Sequence, residues 1–195
     1  MPRISSNISG FNEIAFASIT FVCLILVSLY PAGSKADTGI HLRLIDPLDR
    51  PADGYCIDIH GTPGYLRTDL PLFAHNCKPV LTIDSEVQFK PPGVIRFVGV
   101  DLCLTVAGVN SKALPGAAII LLKCGENSAF METPALQTFT LKDSQQLELG
   151  STGLCLTVGI DSATTYSAAD SWRPLFVDQC KSADPARSRW QFIAP

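Results

Sequence analysis

The stretches YCIDI at residues 55–59, LCLTV at 102–106 and LCLTV at 154–158 are three copies of one cysteine-containing phrase. The copies recur about every 50 residues, and a second cysteine follows each copy before the next one begins. Self-similarity at a fixed spacing is the signature of a fold that is built from like units. The sequence therefore predicts an internal triplicate. The expected repeats are residues 40–92, 93–143 and 144–195.

The paired cysteines predict a disulfide framework within these repeats. Six of the seven cysteines fall inside the repeats, and Cys23 precedes them. An even number of cysteines in an exported chain points to three disulfides, and a fold of three like units should close each unit on itself. The alternative is a zinc–thiolate cluster, but no two cysteines have the C-x2-C spacing that such sites favour. The predicted pairs are Cys56–Cys77, Cys103–Cys124 and Cys155–Cys180.

Residues 1–36 are expected to be a secretory signal rather than part of the fold. An almost wholly apolar run spans residues 14–30, and Ser34 and Ala36 are small residues at the two positions that a signal peptidase reads. An uncleaved anchor is the alternative, although the run is shorter than the roughly 20 residues that a membrane span needs. Cleavage leaves residues 37–195 as one secreted or extracytoplasmic domain without membrane attachment.

The charge balance gives no sign of a polyanionic partner. The chain has 15 Lys and Arg residues against 18 Asp and Glu residues, a formal net charge of −3, and the basic residues form no stripe. Nucleic-acid-binding surfaces need clustered Lys and Arg. Nucleic acid and anionic membranes are therefore not expected partners.

Strand signals dominate residues 37–195. Short β-branched or aromatic runs alternate with breaks that are rich in Pro, Gly, Asn and Asp, and no window sustains the period of an amphipathic helix. This pattern predicts an all-β sandwich or barrel, and three like units favour a barrel with pseudo-threefold symmetry. The strand candidates are residues 41–44, 80–83, 94–98, 119–122, 138–141 and 175–177.

At this point the sequence resembles the ricin-type β-trefoil lectins. Each unit of that family has the cysteine phrase, a second cysteine after an apolar strand, and a closing Gln-x-aromatic phrase. The closing phrase stands here as QTF at residues 137–139, as SRW at 188–190 and as VQF at 87–89, and a typical preceding strand is GVIR at 93–96. The resemblance covers about residues 40–195 and implies an all-β β-trefoil with three disulfides, one in each repeat. It also implies that the closing aromatics Phe89, Phe139 and Trp190 fill the core.

The same resemblance implies a carbohydrate site in the first repeat. In such lectins each unit can hold a shallow galactose-type pocket, built from an aspartate two residues after the first cysteine, an aromatic ring just before the second, and an Asn-Gln pair at the closing phrase. Asp58 and His75 occupy the first two positions, Asn76 is adjacent, and Glu86 stands in place of the Asn-Gln pair.

Strand geometry gives this assignment a physical reason. If the cysteines of the first repeat bridge two neighbouring antiparallel strands, alternation along each strand places Asp58 opposite His75. A carboxylate accepts hydrogen bonds from sugar hydroxyls, and a flat ring stacks on the C–H face of a pyranose. A metal site of Asp58, His60 and His75 is a competing interpretation, but His60 directly precedes a loop, so no metal or other cofactor is predicted.

The other two repeats lack necessary parts of such a pocket. The second repeat has Thr105 and Leu122 at the two positions, and the third has Thr157 and Asp178. The sequence therefore predicts a secreted carbohydrate-binding protein with at most one, degenerate sugar pocket. The alternative is a β-trefoil scaffold that has lost sugar binding and serves as a protein-interaction or inhibitor-like module.

No enzymatic motif accompanies these features. The sequence has no Gly-x-Ser-x-Gly elbow, no His-Glu-x-x-His and no phosphate-cradling glycine loop. A glycosidase with two carboxylates is the enzymatic alternative that sequence leaves open, since any two acidic residues can meet in space. We expect a binding protein rather than an enzyme.

Overall fold

The structure is a computed structural model, and it describes residues 39–167 and 169–194. The expected signal segment, residues 1–36, lies outside the described residues. Within the described ranges no helix is long and apolar enough to cross a membrane.

The described ranges form thirteen strands and two short helices. Five of the six predicted strand runs lie in strands. The run at residues 80–83 does not, because the backbone N–H groups of Ser85 and Glu86 both donate to the carbonyl of Thr82 and fold this segment into a turn. The elements are β1 His41–Leu44, β2 Tyr55–Asp58, β3 Phe73–Asn76, β4 Val87–Lys90, β5 Val94–Phe97, β6 Leu102–Val106, β7 Ile119–Leu122, α1 Thr133–Gln137, β8 Phe139–Leu141, β9 Leu147–Leu149, β10 Leu154–Val158, β11 Ala163–Thr164, β12 Ser171–Gln179, α2 Pro185–Ser188 and β13 Trp190–Ile193.

Twelve of the thirteen strands form three sets of four with the same connectivity, and the two-residue strand β11 pairs with β12 outside these sets. The second and third strands of each set make an antiparallel pair, namely β2–β3, β6–β7 and β10–β12. The fourth strand of each set pairs with the first strand of the next, in the pairs β4–β5, β8–β9 and β13–β1. Single β-bridges at Ile40–Val87, Val94–Thr138 and Gln146–Arg189 close these three pairs into a barrel. This is the predicted pseudo-threefold β-trefoil.

The core has one equivalent residue from each set at its centre. Val87, Phe139 and Trp190 are the first residues of β4, β8 and β13, and each is at most 1% exposed. The indole Nε1 of Trp190 donates to the carbonyl of Leu156 at 2.9 Å, so the one polar atom of the ring is satisfied inside the core. The core prediction is therefore confirmed for Phe139 and Trp190.

The prediction for the first closing phrase was wrong. Val87 occupies the core position that the sequence resemblance assigns to Phe89. Phe89 lies two residues further along the same face of β4, where it is half-buried and stacks on Phe192 with ring centroids 4.7 Å apart. Because side chains alternate along a strand, Val87 and Phe89 lie on the same face of β4. The sequence alone therefore does not show which of the two fills the core position.

The three predicted disulfides are confirmed. Cys56–Cys77, Cys103–Cys124 and Cys155–Cys180 close loops with sequence separations of 21, 21 and 25 residues. Constraint of the unfolded chain by a loop of this size stabilises the fold by about 3 kcal/mol for each bridge.

The predicted strand register is wrong by two residues. Asp58 is opposite Phe73, and His75 is opposite Cys56. The cause is that Cys77 lies just beyond the end of β3, where its N–H donates to the carbonyl of Gly54, so the bridge does not join directly paired residues. The same shift places Thr105 opposite Ile120 and Thr157 opposite Phe176.

Candidate functional site

A pocket of about 720 Å³ opens beside the β2–β3 hairpin of the first repeat. The segment around β11 and the start of β12, which belong to the third repeat, forms its other side. Three groups of side chains line it: a floor of Asp58, Lys78 and Asp84, a wall of His60, Phe73 and Trp172, and a rim of Tyr65, Tyr166 and Asp170.

The length of β12 brings the third repeat to this pocket. Residues 175–179 of this strand pair with β10, while residues 172–174 pair with β3 of the first repeat. Trp172 is thereby directly opposite His75. A nine-residue strand thus contributes to two hairpins at once, and its first residues complete a site that one repeat alone could not build.

The wall consists of two aromatic surfaces at a steep angle. His60 stacks on Phe73 with ring centroids 3.9 Å apart and an interplanar angle of 21°. Trp172 meets both rings edge-on, at 6.2 Å and 75° from Phe73 and at 6.5 Å and 67° from His60. Phe73 is only 6% exposed and acts as a backing, whereas His60 and Trp172 are half-buried and present ring surface to the pocket.

The floor consists of two buried acids, Asp58 and Asp84, and the half-buried Lys78. Lys78 Nζ lies 3.0 Å from Asp58 Oδ2 and 2.6 Å from Asp84 Oδ2. The second oxygen of Asp58, Oδ1, accepts a hydrogen bond from the backbone N–H of Ile59 at 2.8 Å. His75 Nδ1 is 3.6 Å from Asp58 Oδ2, too long for a hydrogen bond. Both oxygens of Asp58 are therefore already engaged within the protein.

Burial controls the protonation of these groups. Desolvation raises the pKa of Asp58 to about 7; the charge of Lys78 opposes this shift and the charge of Asp84 reinforces it. Burial by itself lowers the pKa of Lys78, but the two carboxylates outweigh burial and raise it. One lysine cannot neutralise two buried carboxylates, so the proton of Asp58 supplies the missing compensation.

Burial also favours the neutral form of the two pocket histidines. Burial lowers the pKa of His60 and of His75, and in His75 the nearby charge of Lys78 lowers it further. Neither imidazole adds positive charge to the pocket.

The structure brings two of the four predicted site residues together. Asp58 and His75 line the pocket. Asn76 is on the other face of β3, where it hydrogen-bonds Asp53. Glu86 packs against Gly39, so closely that a methyl group on Gly39 would clash with Glu86 Oε1. Asn76 and Glu86 therefore lie outside the pocket lining.

The positions equivalent to Asp58 hold neutral residues with structural roles. The Thr105 hydroxyl donates to the carbonyl of Cys103 and accepts a hydrogen bond from Gln137 Nε2, both at 2.9 Å. The Thr157 hydroxyl donates to the carbonyl of Cys155 at 2.9 Å. Both threonines are at most 1% exposed.

The competing metal site does not form in the described part of the chain. There, no three His, Cys, Asp or Glu side chains are arranged to hold a metal ion. His60, the third ligand of that interpretation, is stacked on Phe73 instead.

Sequence reasoning missed several residues of the pocket, among them Trp172, Lys78, Asp84 and Asp170. Trp172 had a signal, because it is one of only two tryptophans and begins a long strand next to polar residues. Lys78 and Asp84 had none, because they meet through the turn at residues 82–85, which the sequence presented as a strand.

Comparison with solved structures finds the same fold in proteins of low identity. An agglutinin from Abrus precatorius aligns with a TM-score of 0.55 and 18% identity over 84% of this chain and 51% of that chain, so this chain spans about half of its length. The solution structure of the mdaA-1 domain aligns with a TM-score of 0.55 and 12% identity, over 83% and 93% of the two chains.

The β-trefoil lectin of the Vibrio vulnificus hemolysin/cytolysin, crystallised with N-acetyl-D-lactosamine bound, aligns with a TM-score of 0.50 and 15% identity over 82% and 96% of the two chains. No protein-family model matches this sequence, and no curated protein sequence matches it. The structural similarities confirm the predicted resemblance to ricin-type β-trefoil lectins at the level of the fold, which is one that carbohydrate-binding lectins use.

Proposed function

We propose that this protein is an exported, non-enzymatic carbohydrate-binding protein with one sugar pocket, located at the first repeat. The observation that carries the proposal is the corner between His60 and Trp172, which stands directly beside a charged floor. Sugar sites combine an aromatic surface for the C–H face of the ring with a few polar groups that orient hydroxyls. The pocket volume of about 720 Å³ is in the range of small-ligand sites.

The roles that we assign to the pocket residues differ from those that the sequence suggested. Asp58 is 3% exposed and both of its oxygens are engaged, so its role is to hold Lys78 in place. Lys78 has three donors, of which two point to Asp58 and Asp84 and the third is free to meet a ligand oxygen. Trp172 and His60 provide the surface on which the sugar ring stacks. Asp170, at the rim, accepts hydrogen bonds from sugar hydroxyls.

Export is proposed on the basis of the disulfides. Three bridges in one small domain are typical of proteins that fold in an oxidising compartment. The repeats 40–92, 93–143 and 144–195 and the signal at residues 1–36 are part of this proposal.

The second candidate function is a scaffold that binds protein rather than sugar. Two observations favour it: the engaged state of Asp58, and the strongly exposed apolar side chains of the second repeat. Val109, Leu114 and Phe130 are 63%, 75% and 84% exposed. Exposed apolar surface of this kind is a common feature of protein-interaction sites.

Glycan-array binding, followed by retention on galactose resin, separates the two candidates. We expect the wild-type protein to be retained, Trp172→Ala to lose retention, and Phe130→Ala to behave as wild type, because Phe130 is an exposed aromatic outside the pocket. A wild-type protein that binds no glycan would contradict the lectin proposal and leave the scaffold candidate.

A further inference from the structure

The pocket has an excess of negative charge among its described lining residues. Three acids line it, and because Asp58 keeps its proton up to about pH 7, Asp84 and Asp170 carry the negative charge against the two cations Lys78 and Arg67. Arg67 is already paired with Asp69, through Nε at 2.8 Å and through a second nitrogen at 2.7 Å. The cation that remains is Lys78, and it is shared between two acids.

Asp84 supplies an independent sign that this acidic surface is not fully compensated. The residue is 2% exposed, and its Oδ1 has no hydrogen-bond partner in the described part of the chain, while Oδ2 binds Lys78. Lys78 is thus the one side chain that the described residues pair with this buried carboxylate, which leaves Asp84 as a source of negative potential at the pocket floor.

The other charged residues near the pocket do not reverse the sign of its net charge. Asp170 is half-buried at the rim, and its carboxylate accepts a hydrogen bond from the hydroxyl of Ser167 at 2.8 Å. Arg50, which interacts electrostatically with Asp170, is itself held by both oxygens of Asp53. The neutral imidazoles of His60 and His75 add no compensating charge.

The aromatic corner suits a cation as well as a sugar ring. Trp172 and His60 present surfaces at 67° to each other, and the indole face is the strongest cation-binding surface among side chains. Trp172 and Asp170 both line the pocket, so an ammonium group bound there has an indole ring and a carboxylate within the same cavity.

We propose that the pocket selects sugars that carry a protonated amino group over neutral sugars, and neutral sugars over acidic ones. This inference rests on the proposed carbohydrate function and adds the chemical class of the ligand. It predicts poor binding of sialylated, uronic or sulfated glycans and preferential binding of unacetylated hexosamines.

The predicted order of affinities can be tested by calorimetric or NMR titration with galactosamine, galactose and galacturonic acid. The titrations are run at a mildly acidic pH, which keeps the amine protonated. We expect galactosamine to bind roughly fivefold tighter than galactose and galacturonic acid to bind roughly tenfold weaker than galactose. Asp170→Asn should reduce both differences in affinity. Asp143→Asn, which removes the same charge at an exposed site outside the pocket, should leave them unchanged.

The outcomes separate this inference from the proposed function. Equal binding of the three sugars, or tightest binding of galacturonic acid, would overturn the charge selection and leave carbohydrate binding intact. If Asp170→Asn leaves the differences in affinity unchanged, the inference is also overturned, because the carboxylate of Asp170 would then not be their source. Binding of none of the three sugars would overturn both the selection and the sugar pocket.

Discussion

Asp58 differs from its equivalents in the other two repeats because it brings a carboxyl group to a buried position. At the equivalent positions in the other repeats, the hydroxyls of Thr105 and Thr157 each donate a hydrogen bond to a nearby backbone carbonyl. A carboxylate at the same depth needs a counter-charge, and Lys78 provides it while being shared with Asp84. The result is a pocket floor with a fixed lysine and a proton that is exchanged near neutral pH.

Stability should therefore depend on pH through Asp58. Its pKa is about 7 in the folded protein, against 3.8 for an unperturbed aspartate. Between these pH values the unfolded chain releases the proton and the folded chain keeps it, so the free energy of unfolding falls as pH rises through this window. The shift corresponds to a loss on the order of 4 kcal/mol. Asp58→Asn should remove most of this loss.

Denaturant titrations of wild type and Asp58→Asn on both sides of the window measure the effect. Asp143→Asn is the control, because it removes an exposed carboxylate outside the pocket and should keep the wild-type pH dependence of stability. Identical pH dependence in Asp58→Asn and wild type would show that Asp58 is ionised throughout the range.

At the scale of strands, two features fix the architecture, and they differ in how well sequence reveals them. The three cysteine phrases are local and repeat almost unchanged, so the hairpins and disulfides could be predicted directly. The register could not, because a cysteine beyond a strand end and a cysteine within it give the same spacing. The closing strands were predictable where an aromatic marks the core, as at Phe139 and Trp190, and ambiguous where Val87 takes that place.

Trp190 offers the sharpest stability test of the closing strand β13. Trp190→Ala removes a fully buried ring that has a satisfied indole N–H, and such core truncations cost about 3–5 kcal/mol. Phe89→Ala is the matched control, since Phe89 is an aromatic on the equivalent strand β4 that is only half-buried, and it should cost clearly less. Equal losses of unfolding free energy in the two variants would contradict the core assignment.

At the scale of the whole molecule, the pseudo-threefold barrel is symmetric and the candidate site is not. The sequence indicates the first repeat for the candidate site, because only there do an aspartate and an aromatic ring occupy the two positions of the lectin pattern. It could not reveal that the other wall comes from the third repeat, since this depends on β12 running past β10 to pair with β3. Arg173, next to Trp172, anchors this junction through an ion pair with Asp49 at 2.7 Å.

One measurement tests the central claim, that a single pocket between the first and third repeats binds sugar. In an NMR titration with galactose, we expect shift changes at the Trp172 indole N–H and at amides around Asp58 and His75, with a stoichiometry of one. Affinity should be near millimolar, or about −4 kcal/mol, as suits a shallow pocket. Shift changes centred on the second repeat, several equivalent sites, or unchanged binding in Trp172→Ala would contradict the claim.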